Sequence, residues 1–102
     1  MDEEERFEEL MLFEKSREKW GLRSQILMCA EEAGELAVAT LHLERQVKDK
    51  SKSWESFAEE IADVEFMIAE MKHYFPRIQD KIDKYRAEKR KYLRGLLKLK
   101  DT

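Results

Sequence analysis

The chain has 102 residues, 42% charged and 42% apolar, with a net charge of −3, which fits one domain (1–102) with a modest core. Three glycines and one proline leave little punctuation for strands and tight turns, so helix is favoured almost everywhere. No run reaches ~18 uncharged apolar residues, and the acidic start MDEEERFEEL lacks a basic-then-apolar pattern, so neither a membrane span nor a signal peptide is expected.

The first predicted helix runs from about Glu3 to Lys19, with Phe7, Leu10, Met11 and Phe13 as its apolar stripe. Glu14 interrupts that stripe, Trp20 adds an apolar anchor, and Gly21 ends the helix. The second begins near Ser24, an N-cap candidate, and runs to about Val47. Its only unusual small group, Cys29, lies in an apolar run and cannot form an internal disulfide; a reduced, cytoplasmic setting is expected. The polar segment KDKSKS links to the third helix, which Ser53 or Ser56 would cap, with Ser56 and Glu59 spaced as a capping box and Trp54 anchoring its start. Pro76 stops or kinks it. The fourth helix runs from about Arg77 to Leu99, with Gly95 fraying its last turn.

Two seams with alternating steps of four and three can be read. Helix three offers Phe57, Ile61, Val64, Ile68, Met71 and Phe75; helix two offers Leu27, Ala30, Gly34, Ala37 and Leu41. That rhythm predicts an all-α, four-helix, antiparallel bundle-like protomer. Gly34 costs ~1 kcal/mol against alanine inside a helix. Close approach of a neighbouring helix, or room for a ligand beside Glu35, would justify it. Phe66, Met67 and Ala69 fall outside the helix-three seam, which predicts completion by a homodimer or a dimer of dimers.

Carboxylates interrupt the two most apolar helices. Glu32 and Glu35 share a face, as do Glu60 and Asp63, because residues three apart lie on one side of a helix. Antiparallel packing would let the pairs face one another in a small, partly dry volume. Repulsion and desolvation then favour either protonation or a bound divalent cation. All-oxygen donors suit Mg²⁺, with Mn²⁺ as a substitute. The alternative is a solvated acidic strip on an ordinary bundle, since the chain has 23 acidic residues.

The segments EEAGEL (31–36) and EEIADV (59–64) together resemble the MazG-like all-α nucleoside triphosphate pyrophosphohydrolases, whose pattern is E-E-x-x-E, a spacer, then E-x-x-D. Here 24 residues separate Glu35 from Glu60. The resemblance implies Mg²⁺ held by Glu32, Glu35, Glu60 and Asp63, with Glu31 in an outer shell or orienting water. It implies hydrolysis of a (deoxy)nucleoside triphosphate at the α-phosphorus to monophosphate and pyrophosphate, a nucleotide-pool house-cleaning activity. It also points to phosphate contacts from the last helix at Arg86 and Lys89, within YRAEKRKYL. Trp20 would stack on a base or serve the core or an interface; His42 lies beyond Glu35 on a similar face.

Two further readings stay open. A phosphoribosyl-ATP pyrophosphohydrolase would share the glutamate-rich helix and the chemistry. A non-catalytic helical module would use the charge asymmetry: residues 2–14 are strongly acidic, while 81–100 carry nine Lys or Arg against Asp83 and Glu88. A di-iron carboxylate bundle finds only one E-x-x-H, Glu70 to His73, where two are needed. Neither a membrane nor stable nucleic-acid binding is expected.

Overall fold

The computed structural model describes residues 1–45 and 50–99. They form four helices: α1 (Glu3–Trp20), α2 (Leu22–Arg45), α3 (Lys50–Tyr74) and α4 (Ile78–Leu96). No strand occurs among the described residues, and no helix there is long and apolar enough to cross a membrane.

Local chemistry sets the boundaries. Asp2 caps α1: its carboxylate accepts from the Glu5 N–H at 2.8 Å, and the Glu5 side chain accepts from the Asp2 N–H at 3.3 Å. Glu3, Glu4 and Glu5 in the first turn suit the positive end of the helix dipole. Gly21 alone separates α1 from α2, with φ at 86°, a conformation that costs other residues far more. The second helix therefore starts at Leu22, and Ser24 lies inside it rather than capping it. Its expected end at Val47 falls outside the described residues. Ser53 and Ser56 are likewise inside α3, because Lys50–Lys52 contains no residue that stops a helix. Pro76 follows the end of α3 as expected. The fourth helix closes three residues early, with Leu99 N–H on the Arg94 carbonyl and Lys98 N–H on Gly95. Lys98 takes φ 58° there, the left-handed position of a Schellman motif.

The α2–α3 pair packs along its length, and its short link forces the helices antiparallel. Its covered stripes differ from those read in the sequence. On α2 the inward positions are Gln25, Cys29, Glu32, Leu36, Ala39 and Leu43, whereas Leu27, Ala30, Gly34, Ala37 and Leu41 face outward. A shift of two residues turns a helix by ~200°, so nearly the opposite face is buried. On α3, Phe57, Ile61, Val64 and Met71 are partly covered as expected, but Ile68 and Phe75 are exposed. Glu60, Met67, Glu70 and Tyr74 turn inward instead. Toward the C-terminal end of α3 the cause is α1, which lies against that half of the helix. Phe13, 1% exposed, meets the edge of Phe66 at 5.1 Å, and its carbonyl accepts from the Tyr74 hydroxyl at 2.6 Å.

The fourth helix makes no extended contact with the other three, and none of its residues is buried. The radius of gyration is 17.1 Å, against ~13 Å for a compact chain of this length. Among the described residues, Phe13, Ala39, Met67 and Tyr74 form the buried apolar core.

Candidate metal centre

The inward stripes of α2 and α3 bring carboxylates together. Glu32, Glu60 and Asp63, all half-buried, each offer one oxygen within 4.8 Å of the others. No other trio of His, Cys, Asp and Glu converges this way among the described residues. Glu35, one turn after Glu32, is exposed but lies beside both Glu32 and Glu60. The four residues expected at the site are therefore neighbours. They achieve this by a different route from the one inferred. Glu32 and Glu60 occupy seam positions themselves, rather than bordering an apolar seam.

The electrostatics follow from that placement. Burial, then the charges of Glu35, Asp63 and Glu60, pushes Glu32 above the ordinary carboxylate range. Glu60 is raised in the same way, by burial first and then by Glu35 and Asp63. One oxygen of each, Oε2, is buried without a hydrogen-bond partner. Such atoms are costly when left unsatisfied. A divalent cation would satisfy both oxygens and cancel the repulsion, and the all-carboxylate donor set fits Mg²⁺ or Mn²⁺.

A groove of about 530 Å³ opens beside the carboxylates, within the range of small-molecule sites. Glu31, Glu35 and Glu60 line one end; Gly34, Val38 and Ala39 form an apolar wall; His42 and Ser56 stand at the other end. His42 follows Glu35 by seven positions along the helix, a rise of ~10 Å. A Cβ built on Gly34 would meet no atom within 4 Å, so within the protomer no neighbouring helix approaches there. Of the two reasons for this glycine, room beside Glu35 is the one compatible with the protomer.

Other expected residues lie elsewhere. No α4 residue lines this groove. Arg86 and Lys89 line a separate groove on α4, where the Lys89 ammonium lies 5.7 Å from the Tyr92 ring centre. Trp20 is 56% exposed, with Lys19 over its ring at 5.3 Å, and does not line the carboxylate groove. Trp54 is also exposed and tilts against Phe57 at 6.3 Å.

A second polar cluster was not foreseen as a unit. Glu14 receives both Arg17 Nη2 contacts, at 2.9 and 2.7 Å, and its Oε1 lies 2.7 Å from His73 Nε2. His73 first, and then Arg17, hold the Glu14 carboxyl below its usual range. Glu70, 2% exposed, contacts the Tyr74 hydroxyl, whose own ionisation is pushed up by burial and by Glu70. The Arg17 guanidinium lies 5.0 Å from the Tyr74 ring centre. Glu70 and His73 thus serve the α1–α3 contact, away from the carboxylate trio. The interruption of the α1 stripe by Glu14 was the available signal for this cluster. No protein-family model, curated protein or solved structure matches the chain, so the family resemblance stands on its motif residues alone.

Proposed function

We propose that the protein is a Mg²⁺-dependent nucleoside triphosphate pyrophosphohydrolase. The observation that carries this reading is the convergence of Glu32, Glu60 and Asp63, with Glu35 beside them and two orphaned carboxylate oxygens among them. The four carboxylates would hold the ion, which when bound neutralises phosphate charge and lowers the pKa of water. Glu31 lines the groove with Glu35, and in this reading it orients the attacking water from the outer shell. Water oxygen bonds to the α-phosphorus, the bond from that phosphorus to the bridging oxygen breaks, and pyrophosphate leaves. The groove beyond Glu35 takes the nucleoside: Gly34, Val38 and Ala39 offer an apolar wall, and His42 and Ser56 offer polar contacts ~10 Å from the carboxylates. Arg86 and Lys89 have no part in the phosphate contacts proposed here, because α4 stands apart from the groove within one chain.

Association into a homodimer or a dimer of dimers belongs to the same proposal. The buried apolar core among the described residues is small, at four side chains, while Leu22, Ile26, Leu27 and Leu41 of α2 are exposed. A cytoplasmic setting fits the half-buried free thiol of Cys29.

The deciding experiment incubates the purified chain with a panel of nucleoside triphosphates and Mg²⁺, and separates the products. Monophosphate and pyrophosphate are expected. Orthophosphate and a diphosphate would contradict attack at the α-phosphorus. Preference for phosphoribosyl-ATP would move the enzyme to that substrate with the same site. Absence of both turnover and millimolar Mn²⁺ binding would favour the non-catalytic helical module.

A further inference from the structure

Two faces of the protomer have no partner among the described residues, and they are opposite in charge. The first is the N-terminal half of α1, where Phe7 is 70% exposed and forms a shallow groove with Glu3, Glu4, Arg6 and Leu10. Residues 2–9 carry six carboxylates against Arg6. The second is the α4 groove, formed by Ile78, Ile82 and Tyr85 between Lys81, Arg86 and Lys89. Residues 81–91 carry six Lys or Arg against Asp83 and Glu88.

We propose that the α4 groove receives the acidic half of α1 from a second copy of the chain. Each face joins an apolar strip to flanking charge. Phe7 and Leu10 are three apart, and Ile78, Ile82 and Tyr85 step by four and three, so both strips suit helix-on-helix packing. Glu3 and Glu4 would then meet Lys81, Arg86 and Lys89 at the rim of the contact. The strip continues along α4 through Tyr92 and Leu96, both exposed.

The same chain cannot supply the partner in this arrangement. The direction of α1 is fixed by Phe13 against Phe66 and by Glu14 against His73, and α4 has no extended contact with α1. A polyanion such as duplex nucleic acid would satisfy the cations but leave Ile78, Ile82 and Tyr85 uncovered. The acidic helix covers both. Surface area agrees. The chain exposes 8814 Å², whereas a compact monomer of its mass exposes about 6,100 Å². The excess of about 2,700 Å² comfortably exceeds the ~800 Å² that each partner contributes to a standard stable interface. In a two-fold dimer the contact occurs twice, α1 on α4 and α4 on α1, which closes the assembly.

The test is charge reversal followed by molar-mass measurement with light scattering. Glu3→Lys with Glu4→Lys in one variant, and Lys81→Glu with Arg86→Glu in another, should each weaken association by tenfold or more. Mixing the two variants, or combining all four changes in one chain, should restore the mass of the unmodified assembly. All these positions are exposed, and circular dichroism checks that each variant keeps its helices. A second measurement pairs Leu10→Cys with Tyr85→Cys, both on a Cys29→Ser background, and expects a mixed disulfide dimer on oxidation. A 12.3 kDa particle from the unmodified chain at micromolar concentration and low salt would overturn the proposal. So would single-sided variants that keep the original mass, or a fourfold variant that fails to recover it.

Discussion

Gly34→Ala separates what this residue does for the helix from what it does for the groove. The position lies in the middle of α2, and a Cβ there meets nothing within 4 Å. No clash offsets the helix-propensity gain, so the protomer should be stabilised by ~1 kcal/mol. For a chain of this length, with an unfolding entropy of ~2.1 cal/mol/K per residue, that gain corresponds to a rise in Tm of ~5 °C. The new methyl projects from the wall between Glu31, Glu35 and Val38, into the space assigned to the nucleoside. KM for the preferred nucleotide should therefore rise, while Mn²⁺ binding to the carboxylates stays unchanged. Scanning calorimetry, calorimetric Mn²⁺ titration and steady-state kinetics give the three readouts. A fall in Tm would mean that another surface packs against Gly34, and the argument from open space would fail. A higher Tm with unaltered kinetics would remove the nucleoside from this groove.

Asp63→Asn should reduce turnover by ~10²-fold or more, because even outer-shell changes at metal sites cost 10–100-fold. Its metal-free Tm should not fall, since one charge leaves a repulsive cluster; wild-type turnover would sink the site. Glu32→Gln should raise the metal-free Tm at pH 8 but not at pH 4. The Glu32 carboxyl is raised on folding, so its contribution to stability is present below the unfolded pKa and lost as pH rises through the folded one. Glu14 has the opposite sign, losing stability as pH falls, but both proteins share it. Saturating Mg²⁺ should close the gap at pH 8, and a pH-independent difference would count against the electrostatic account. Phe13→Ala should cost ~3–5 kcal/mol, measured by urea denaturation, because it removes a large side chain that is fully buried. A loss below ~1 kcal/mol would show that α1 docks by other means.

Helix number and class were legible in the sequence because they depend on local properties: few breakers, long periodic segments and one proline. The four carboxylates were legible because E-x-x-E and E-x-x-D place pairs on one face whatever the tertiary structure does. The inward face of α2 was not. Reading apolar residues as buried selected Leu27, Gly34 and Leu41, whereas the hairpin buries Gln25, Glu32 and Ala39. That rule assumes a chain that completes its own core. When a protomer leaves apolar faces open, local pattern cannot tell the inner stripe from the outer one. The α1–α3 cluster was hidden for a different reason. Glu14 and His73 are 59 residues apart, and no helical period connects them.

The placement of the carboxylates also bears on why this protomer is so open. Glu32 and Glu60 occupy heptad-like positions that a leucine would fill in an ordinary hairpin, and burying each such side chain would contribute ~1.5–3 kcal/mol. Gln25 takes a further inward position on α2, and its amide nitrogen is itself buried without a partner. The α2–α3 seam therefore gives up apolar burial in favour of a pre-formed polar site, against total stabilities of only ~5–15 kcal/mol for domains of this kind. The deficit has to be met by something other than apolar side chains of the seam. An ion at the carboxylates would supply part of it through binding to the folded state alone, and contact between copies would supply more. The apolar residues that the seam displaces face outward on α2, α1 and α4, where a second copy can cover them. A site rich in half-buried carboxylate and a surface rich in exposed leucine are, on this argument, two consequences of one allocation of residues along the same helices.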